Sequence, residues 1–238
     1  MIIEVLFPEL CCLYGDQANM KYLSQCIPGA TFHYTHNRCT PRFVTEQVDM
    51  IYMGAMSESK QEMALERLLP YKELLWQKIE AGMFVLTTGN ALEIFGQHIE
   101  DNGRVIPALG YFSTHAKRDL INRHNSMFVG TFEGMKIVGN KSQYSFSFGN
   151  NDRPFIQVIG GYGMNMEDTT EGFRYRNFFG TYLLGPFLVL NPPFTKYLLK
   201  ALGCDDTLAH EEAMMDAYNH RLAALEKPGV PYLMDECH

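Results

Sequence analysis

The sequence predicts an α/β fold: a doubly wound, mostly parallel sheet with an appended antiparallel β section. Three observations carry this expectation. Short apolar strands alternate with helical patterns through residues 1–100. Met83–Leu86 is apolar without alternation, as in a parallel strand buried on both faces. From Gly110 to Gly180 the pattern changes to short, aromatic-rich strands separated by turn residues, which suits antiparallel hairpins.

Taken in order, Ile2–Phe7 reads as the first strand, ended by Pro8. Asp16 is placed to cap a helix running to about Gln25, which Pro28-Gly29 stops. Thr31–His36 and Met50–Met53 read as the next strands. Lys60–Leu69 and Tyr71–Ala81 read as helix, interrupted at Pro70. After Met83–Leu86 comes a tight turn and a short helix ending near Gly96. The middle section offers strands at Tyr111–Ser113, Ser126–Phe132, Met135–Val138, Phe155–Gly160 and Phe173–Arg176. In the tail, Asn191 is expected to cap a helix with Pro192 at its first position, where proline costs least. Ala213, Ala217, Leu222 and Leu225 give apolar spacing to a last helix over Thr207–Leu225. No repeat or linker is visible. The expectation is one domain over 1–238, with a parallel half (1–100), a β-rich section (110–182) and C-terminal helices (191–226).

Composition narrows the function. The chain has 238 residues, 46% hydrophobic and 13% aromatic, enough for a core without disulfide or metal staples. Its 27 acidic residues outnumber 20 basic ones, a net charge of −7 that argues against a broad phosphate-neutralising surface. No nucleic-acid partner is therefore expected. No apolar run approaches the ~18 residues of a membrane span, and the N-terminus lacks the basic flank of a signal peptide. The 6 cysteines fit neither a disulfide framework nor paired zinc ligands, so a cytoplasmic location is expected. No GxGxxG or P-loop signature is present, and no cofactor is expected.

The segment of most chemical interest is the turn after Met83–Leu86. A strand, a glycine-containing turn at Gly89 and an immediate helix have the layout of a nucleophile elbow, which lies where ligands collect in a doubly wound sheet. Its residues, Thr87-Thr88-Gly89-Asn90-Ala91-Leu92-Glu93, include no cysteine and no serine. Pattern alone favours a plain strand–helix connection. Cys11 and Cys12 follow the first strand and reach the same sheet edge, although adjacent cysteines cannot both face a crevice. His36 with Cys39, and Asp235-Glu236-Cys237-His238, carry metal-ligand residue types in loop and tail settings. The 14 methionines read as core filler.

Several blocks in order resemble class I (triad) glutamine amidotransferase domains, those of the lipid II isoglutaminyl synthase and cobyric acid synthase type most of all. They are Leu13-Tyr14-Gly15-Asp16-Gln17-Ala18-Asn19 after the first strand, and Gly54-Ala55-Met56-Ser57-Glu58-Ser59-Lys60-Gln61, which is similar to a glycine-rich oxyanion loop. The closing block runs Gly161-Tyr162-Gly163-Met164-Asn165, Glu171-Gly172-Phe173-Arg174-Tyr175-Arg176-Asn177 and Gly180-Thr181-Tyr182-Leu183-Leu184-Gly185-Pro186. Leu188 and Asn191-Pro192 continue it. The resemblance covers about residues 5 to 200 and implies a flavodoxin-like sheet. It implies glutaminase chemistry that delivers ammonia to a Mur-ligase-like synthetase for amidation of a peptidoglycan precursor.

The departures fall on the chemistry. Aligned with the resemblance, the nucleophile position is Gly89, the catalytic histidine position is Leu184, and Glu93 stands at a family glutamine. Ser145 and Ser147 stand where relatives carry Glu and His, and Met56 replaces a glycine. Arg123, six residues before Val129, matches an arginine that holds the glutamine carboxylate. A solvated arginine in a basic stretch with Lys117 and Arg118 is the alternative. The expected ligand-binding residues are Gly54, Ala55 and Arg123, in a pocket made narrow and apolar by Met56, Leu92 and Leu184. The reading is a pseudoenzyme, a partner or regulatory subunit of a Mur-ligase-like synthetase or a binder of a small molecule. Two alternatives stay open: an active amidotransferase with an unrecognised nucleophile, and a flavodoxin-like small-ligand binder.

Overall fold

The computed structural model describes residues 1–234. The tail motif at 235–238 lies outside the described residues. In chain order the elements are β1 (Ile2–Leu6), α1 (Gln17–Cys26), β2 (Thr31–Thr35), β3 (Met50–Met53), α2 (Glu58–Leu68), α3 (Lys72–Glu80) and β4 (Phe84–Thr88). A 3-10 segment, Gly89–Phe95, leads to β5 (His98–Asp101), β6 (Arg104–Pro107), β7 (Thr114–Arg118), β8 (His124–Phe132) and β9 (Met135–Gln143). Then come β10 (Ser145–Gly149), β11 (Pro154–Gly160), β12 (Thr170–Tyr175), β13 (Phe178–Thr181), α4 (Phe187–Leu190), α5 (Pro192–Ala201) and α6 (Glu211–Leu225).

The predicted α/β class holds. Nine strands form one sheet in the order β2-β1-β3-β4-β13-β12-β11-β8-β9. The pairs from β2 to β13 are parallel, and those from β13 to β9 antiparallel. The sheet is wound on both faces because the central strands bury alternate residues in opposite directions. Met50, Tyr52 and Leu86 pack towards α1, α4 and α5, with Met20, Leu23, Phe187 and Phe194. Ile51, Met53 and Val85 pack towards α2 and α3, with Ala64, Leu65, Leu68 and Ile79. Winding reverses at β1, whose neighbours are β2 and β3, so the loops after β1 and β3 flank a crevice at the sheet's carboxyl edge.

Three element readings need correction. The middle section is not one appended hairpin array. β8, β9, β11 and β12 extend the main sheet, while β10-β7-β5-β6 form a second sheet of four strands. Tyr111–Ser113 is not a strand: the Tyr111 and Phe112 N–H groups both go to the Phe95 carbonyl, at 2.9 and 3.1 Å, and the Phe112 ring stacks on Phe173, centroids 4.4 Å apart. The last helix begins at Glu211, after His210 in the left-handed region.

Candidate active site

The loop after β1 places Asp16 at the floor of the crevice. It does not cap α1. Its backbone is already helical, and no side-chain cap bond forms. The carboxylate turns inward, where Oδ2 accepts the Ala55 backbone N–H (2.5 Å) and the Thr88 hydroxyl (2.8 Å). Residue 16 is fully buried. Burial pushes its carboxyl up to about 6, against the opposing pull of the Ala55 and Thr88 bonds. Tyr52 extends the network: its hydroxyl donates to the Asp16 carbonyl (3.0 Å) and lies 3.0 Å from Thr88 Oγ1. Asn19 donates to that same hydroxyl at 2.8 Å. A side chain on Gly185 would run into Asp16, which explains glycine there. The first loop, the loop after β3, the end of β4 and the closing block thus meet on one buried carboxyl.

Above it, β4 ends in the turn the sequence suggested. Gly89 sits at φ +61°, the left-handed conformation that strains any residue with a Cβ. The elbow keeps that backbone without a side chain to aim. The Asn90 side chain faces the loop after β3 and makes two bonds with residue 56. Its Oδ1 accepts Met56 N–H (3.1 Å), and its Nδ2 donates to the Met56 carbonyl (2.8 Å). Backbone N–H groups that would stabilise a developing oxyanion must be free to do so. Here the Ala55 N–H is held by Asp16 and the Met56 N–H by Asn90.

A cavity of about 120 Å³ opens at the elbow, walled by Leu13, Tyr14, Ala55, Met56, Ser57, Glu58, Gly89, Asn90, Arg123, Ser142–Ser145, Tyr182 and Leu184. Four of the five expected positions therefore meet there: Gly89, Leu184, Ala55 and Arg123. Gly54 does not reach the wall, because its Cα faces Asp16 and Tyr52 beneath. The lining is more apolar than polar, with Met56 and Leu184 in it as expected. Leu92 is the exception: it points into the core, fully buried, and serines, Asn90, Gln143 and Glu58 add polar groups to the wall.

Among the described residues, neither cysteine nor histidine appears in that wall. Cys11 is buried in the core, and burial raises its thiol far above the ordinary range. Cys12 is exposed outside the cavity, its sulfur 3.9 Å from Lys60 Nζ. His124 bonds Ser126 Oγ at 2.9 Å, and burial with the Lys141 charge pulls its ring down to about 4. His98 and His115 lie together on the second sheet. Arg123 is exposed, with its guanidinium 4.6 Å from the Tyr144 ring centroid. Arg118, in the basic stretch named beside Arg123, is buried and bonds Gln61 Oε1 (2.7 Å), Glu62 (2.9 Å) and Asp101 (2.9 Å). His36 pairs with Glu9 at 3.3 Å, and Cys39 is exposed in the same loop.

Two residues matter more than the sequence revealed. Glu93 is buried, and burial raises its carboxyl despite bonds from Ser145, Gln61 (2.8 Å) and Tyr182 (2.9 Å). Ser147 lies 2.7 Å from the Tyr182 hydroxyl. The two serines at the degenerate Glu and His positions thus join Glu93, Ser145 directly and Ser147 through Tyr182. Gln143 places a buried Oε1 without a partner among the described residues at the cavity wall. Periodicity carries no trace of the Glu93 cluster, because it joins segments far apart in sequence.

Comparison with known proteins agrees with this architecture. Among solved structures, a glutamine amidotransferase matches with a TM-score of 0.56 at 13% identity, covering 85% of this chain and 100% of that one. A second, from Thermotoga maritima, matches at 0.50 and 8% identity over 94% and 92%. Both show shared fold alone. In sequence, the chain is 32% identical over 161 residues to the lipid II isoglutaminyl synthase (glutamine-hydrolyzing) subunit GatD of Staphylococcus aureus strain N315. That match covers 65% of this chain and spans 64% of the relative's length. The Streptococcus pneumoniae subunit of the same name is 26% identical over 199 residues, covering 79% of this chain and 75% of that one. Residues 3–192 match the CobB/CobQ-like glutamine amidotransferase domain, and the chain belongs to that family.

Proposed function

We propose that this chain is a non-hydrolysing member of its family, serving as the partner or regulatory subunit of a Mur-ligase-like synthetase in cell-wall precursor amidation. The observation that carries the reading is Gly89: the elbow backbone is kept at φ +61°, and the position has no atom to attack an amide. Covalent amide hydrolysis needs a nucleophile with a base in hydrogen-bond reach. Leu184 supplies hydrocarbon at the wall where such a base would stand. The retained closing block supports a preserved family surface. A role as one subunit is brought from the relatives' names, and a Mur-ligase-like partner from the family resemblance.

The test is a glutaminase assay on the purified chain, alone and co-expressed with a Mur-ligase-like synthetase, with a diazo-ketone glutamine analogue as covalent probe. No ammonia release, no labelling and stable co-purification are expected. Ammonia release with stoichiometric labelling would overturn the pseudoenzyme reading. One observation favours a second reading, an amidotransferase with a displaced nucleophile: the Ser145 hydroxyl, at the cavity wall, donates to the Glu93 carboxylate. Label on Ser145, abolished in Ser145→Ala, would establish it.

A further inference from the structure

We propose that His98, Glu100 and His115 form a binding site for a divalent transition cation of the zinc class. The pattern starts in the strands. His98 and Glu100 are two residues apart on β5 and so share a face. β5 runs parallel to β7 with Ile99 opposite Ala116 and Glu100 opposite Lys117, which brings His115 beside His98 on that face. Ile99 and Ala116 are buried on the other face, fixing which way the three side chains point. The imidazoles stack with centroids 4.9 Å apart and planes 9° from parallel.

Both rings turn Nε2 towards one oxygen, Glu100 Oε1, at 3.6 Å from His98 and 3.8 Å from His115. These separations are too long for N–H···O hydrogen bonds. They are near the spacing of ligand atoms around a tetrahedral cation: bonds of ~2.0–2.1 Å set neighbouring ligands about 3.3 Å apart. The three ligand atoms all lie within 4.8 Å of one another, so a small rotation of the rings closes the set. Lys117 lies in register with Glu100 but makes no ion pair with it among the described residues, leaving the carboxylate available. Two imidazoles select against magnesium and calcium, which take oxygen ligands, and favour zinc, cobalt, nickel or copper.

The side chains are roughly a third exposed, so three protein ligands would leave further positions to solvent. The cation would also tie β5 to β7, which are joined by two residue pairs. β7 pairs in turn with β10, the strand that brings Ser145 to the elbow cavity. The site thus stiffens the sheet behind that wall.

The experiment titrates the chelator-stripped full chain with zinc chloride by calorimetry. It also records zinc X-ray absorption on the loaded protein. One zinc per chain is expected, with nitrogen and oxygen scatterers at ~2.0–2.1 Å. His98→Ala and His115→Ala should each weaken binding by more than about tenfold. At a hundredfold excess over Kd the thermal midpoint should rise by roughly 5–10 °C. Absence of binding at millimolar zinc, sulfur in the coordination shell, or unchanged affinity in the double variant would each overturn the proposal. The absorption measurement uses the unaltered protein and does not depend on a variant folding.

Discussion

The methyl group of Ala55 occupies the space that a side chain on Gly89 would need. An ideal Cβ at residue 89 falls 2.5 Å from Ala55 Cβ, 3.2 Å from Ala55 Cα and 3.3 Å from Leu184 Cδ2. The loop after β3 packs against the elbow turn closely enough to exclude a side chain at residue 89.

Restoring the thiol alone should therefore fail. Gly89→Cys adds a Cβ against Ala55 at a positive φ, and a destabilisation of about 1–3 kcal/mol is expected in urea melts. Gly89→Cys with Ala55→Gly should regain part of that loss by emptying the contested volume. Neither variant should hydrolyse glutamine, because Leu184 offers no base and a free thiol is only a few per cent thiolate at neutral pH. Turnover by either variant would mean that another group takes the proton.

What the sequence made legible was local. Met50–Met53 was readable from an unbroken apolar run, and the Pro70 break between α2 and α3 from proline's missing donor. The elbow was readable as a strand running into Gly89. Its neighbours were less so. Nothing in the residues near Asp16 announces that its carboxylate serves the Ala55 N–H instead of α1, since that choice depends on β1 and β3 lying side by side. Part of the make-up of the cavity wall escaped for a similar reason. Leu92 was expected there, but the 3-10 turn rotates it into the core and brings Asn90 forward. Short strands such as His98–Asp101, polar and half-buried, give too weak an alternation to read.

Asp16 should make stability fall as pH rises. Burial raises its carboxyl from 3.8 to about 6 in the folded chain, so between those values the native state holds a proton that the unfolded chain releases. Its contribution is complete below about 3.8 and is lost as pH passes through about 6, a change of about 3 kcal/mol. Asp16→Asn cannot ionise. Its stability deficit relative to the unaltered chain should shrink by up to that amount between pH 4 and pH 8 in denaturant titrations. A deficit that grows with pH would show that the Ala55 and Thr88 bonds outweigh burial.

The fully buried pair of Lys141 and Glu171 anchors the closing block. Lys141 Nζ donates to the Gly163 carbonyl at 2.6 Å and lies 3.6 Å from Glu171 Oε1. Glu171 also accepts from Thr181 Oγ1 and the Tyr182 N–H, each at 2.7 Å. Burial lowers the lysine's pKa, so the pair persists through its partners and not through solvation. Lys141→Met should cost about 3–5 kcal/mol by leaving a buried carboxylate without its cation. Lys141→Met with Glu171→Gln should cost less than the single change. Additive losses would show that the two side chains are not coupled.

L-Glutamine should not bind measurably at millimolar concentration. The wall carries polar groups, but most of them are committed: the Ala55 N–H to Asp16, the Met56 N–H to Asn90, Ser145 to Glu93, and Gln143 Nε2 to the Ser145 carbonyl. The Arg123 guanidinium and Gln143 Oε1 remain for the ligand's carboxylate and ammonium. The side-chain amide would then lie against Ala55, Met56 and Leu184. Each amide group buried without a partner costs about 1–3 kcal/mol, and 1.4 kcal/mol is tenfold in affinity. Two such groups remove roughly 30-fold or more, enough to take a weak site out of calorimetric range. The titration is run on the full chain, with Arg123→Ala and Gln143→Ala beside it. A saturable heat lost in both variants would reverse the expectation and make this cavity a glutamine sensor that does not hydrolyse what it holds.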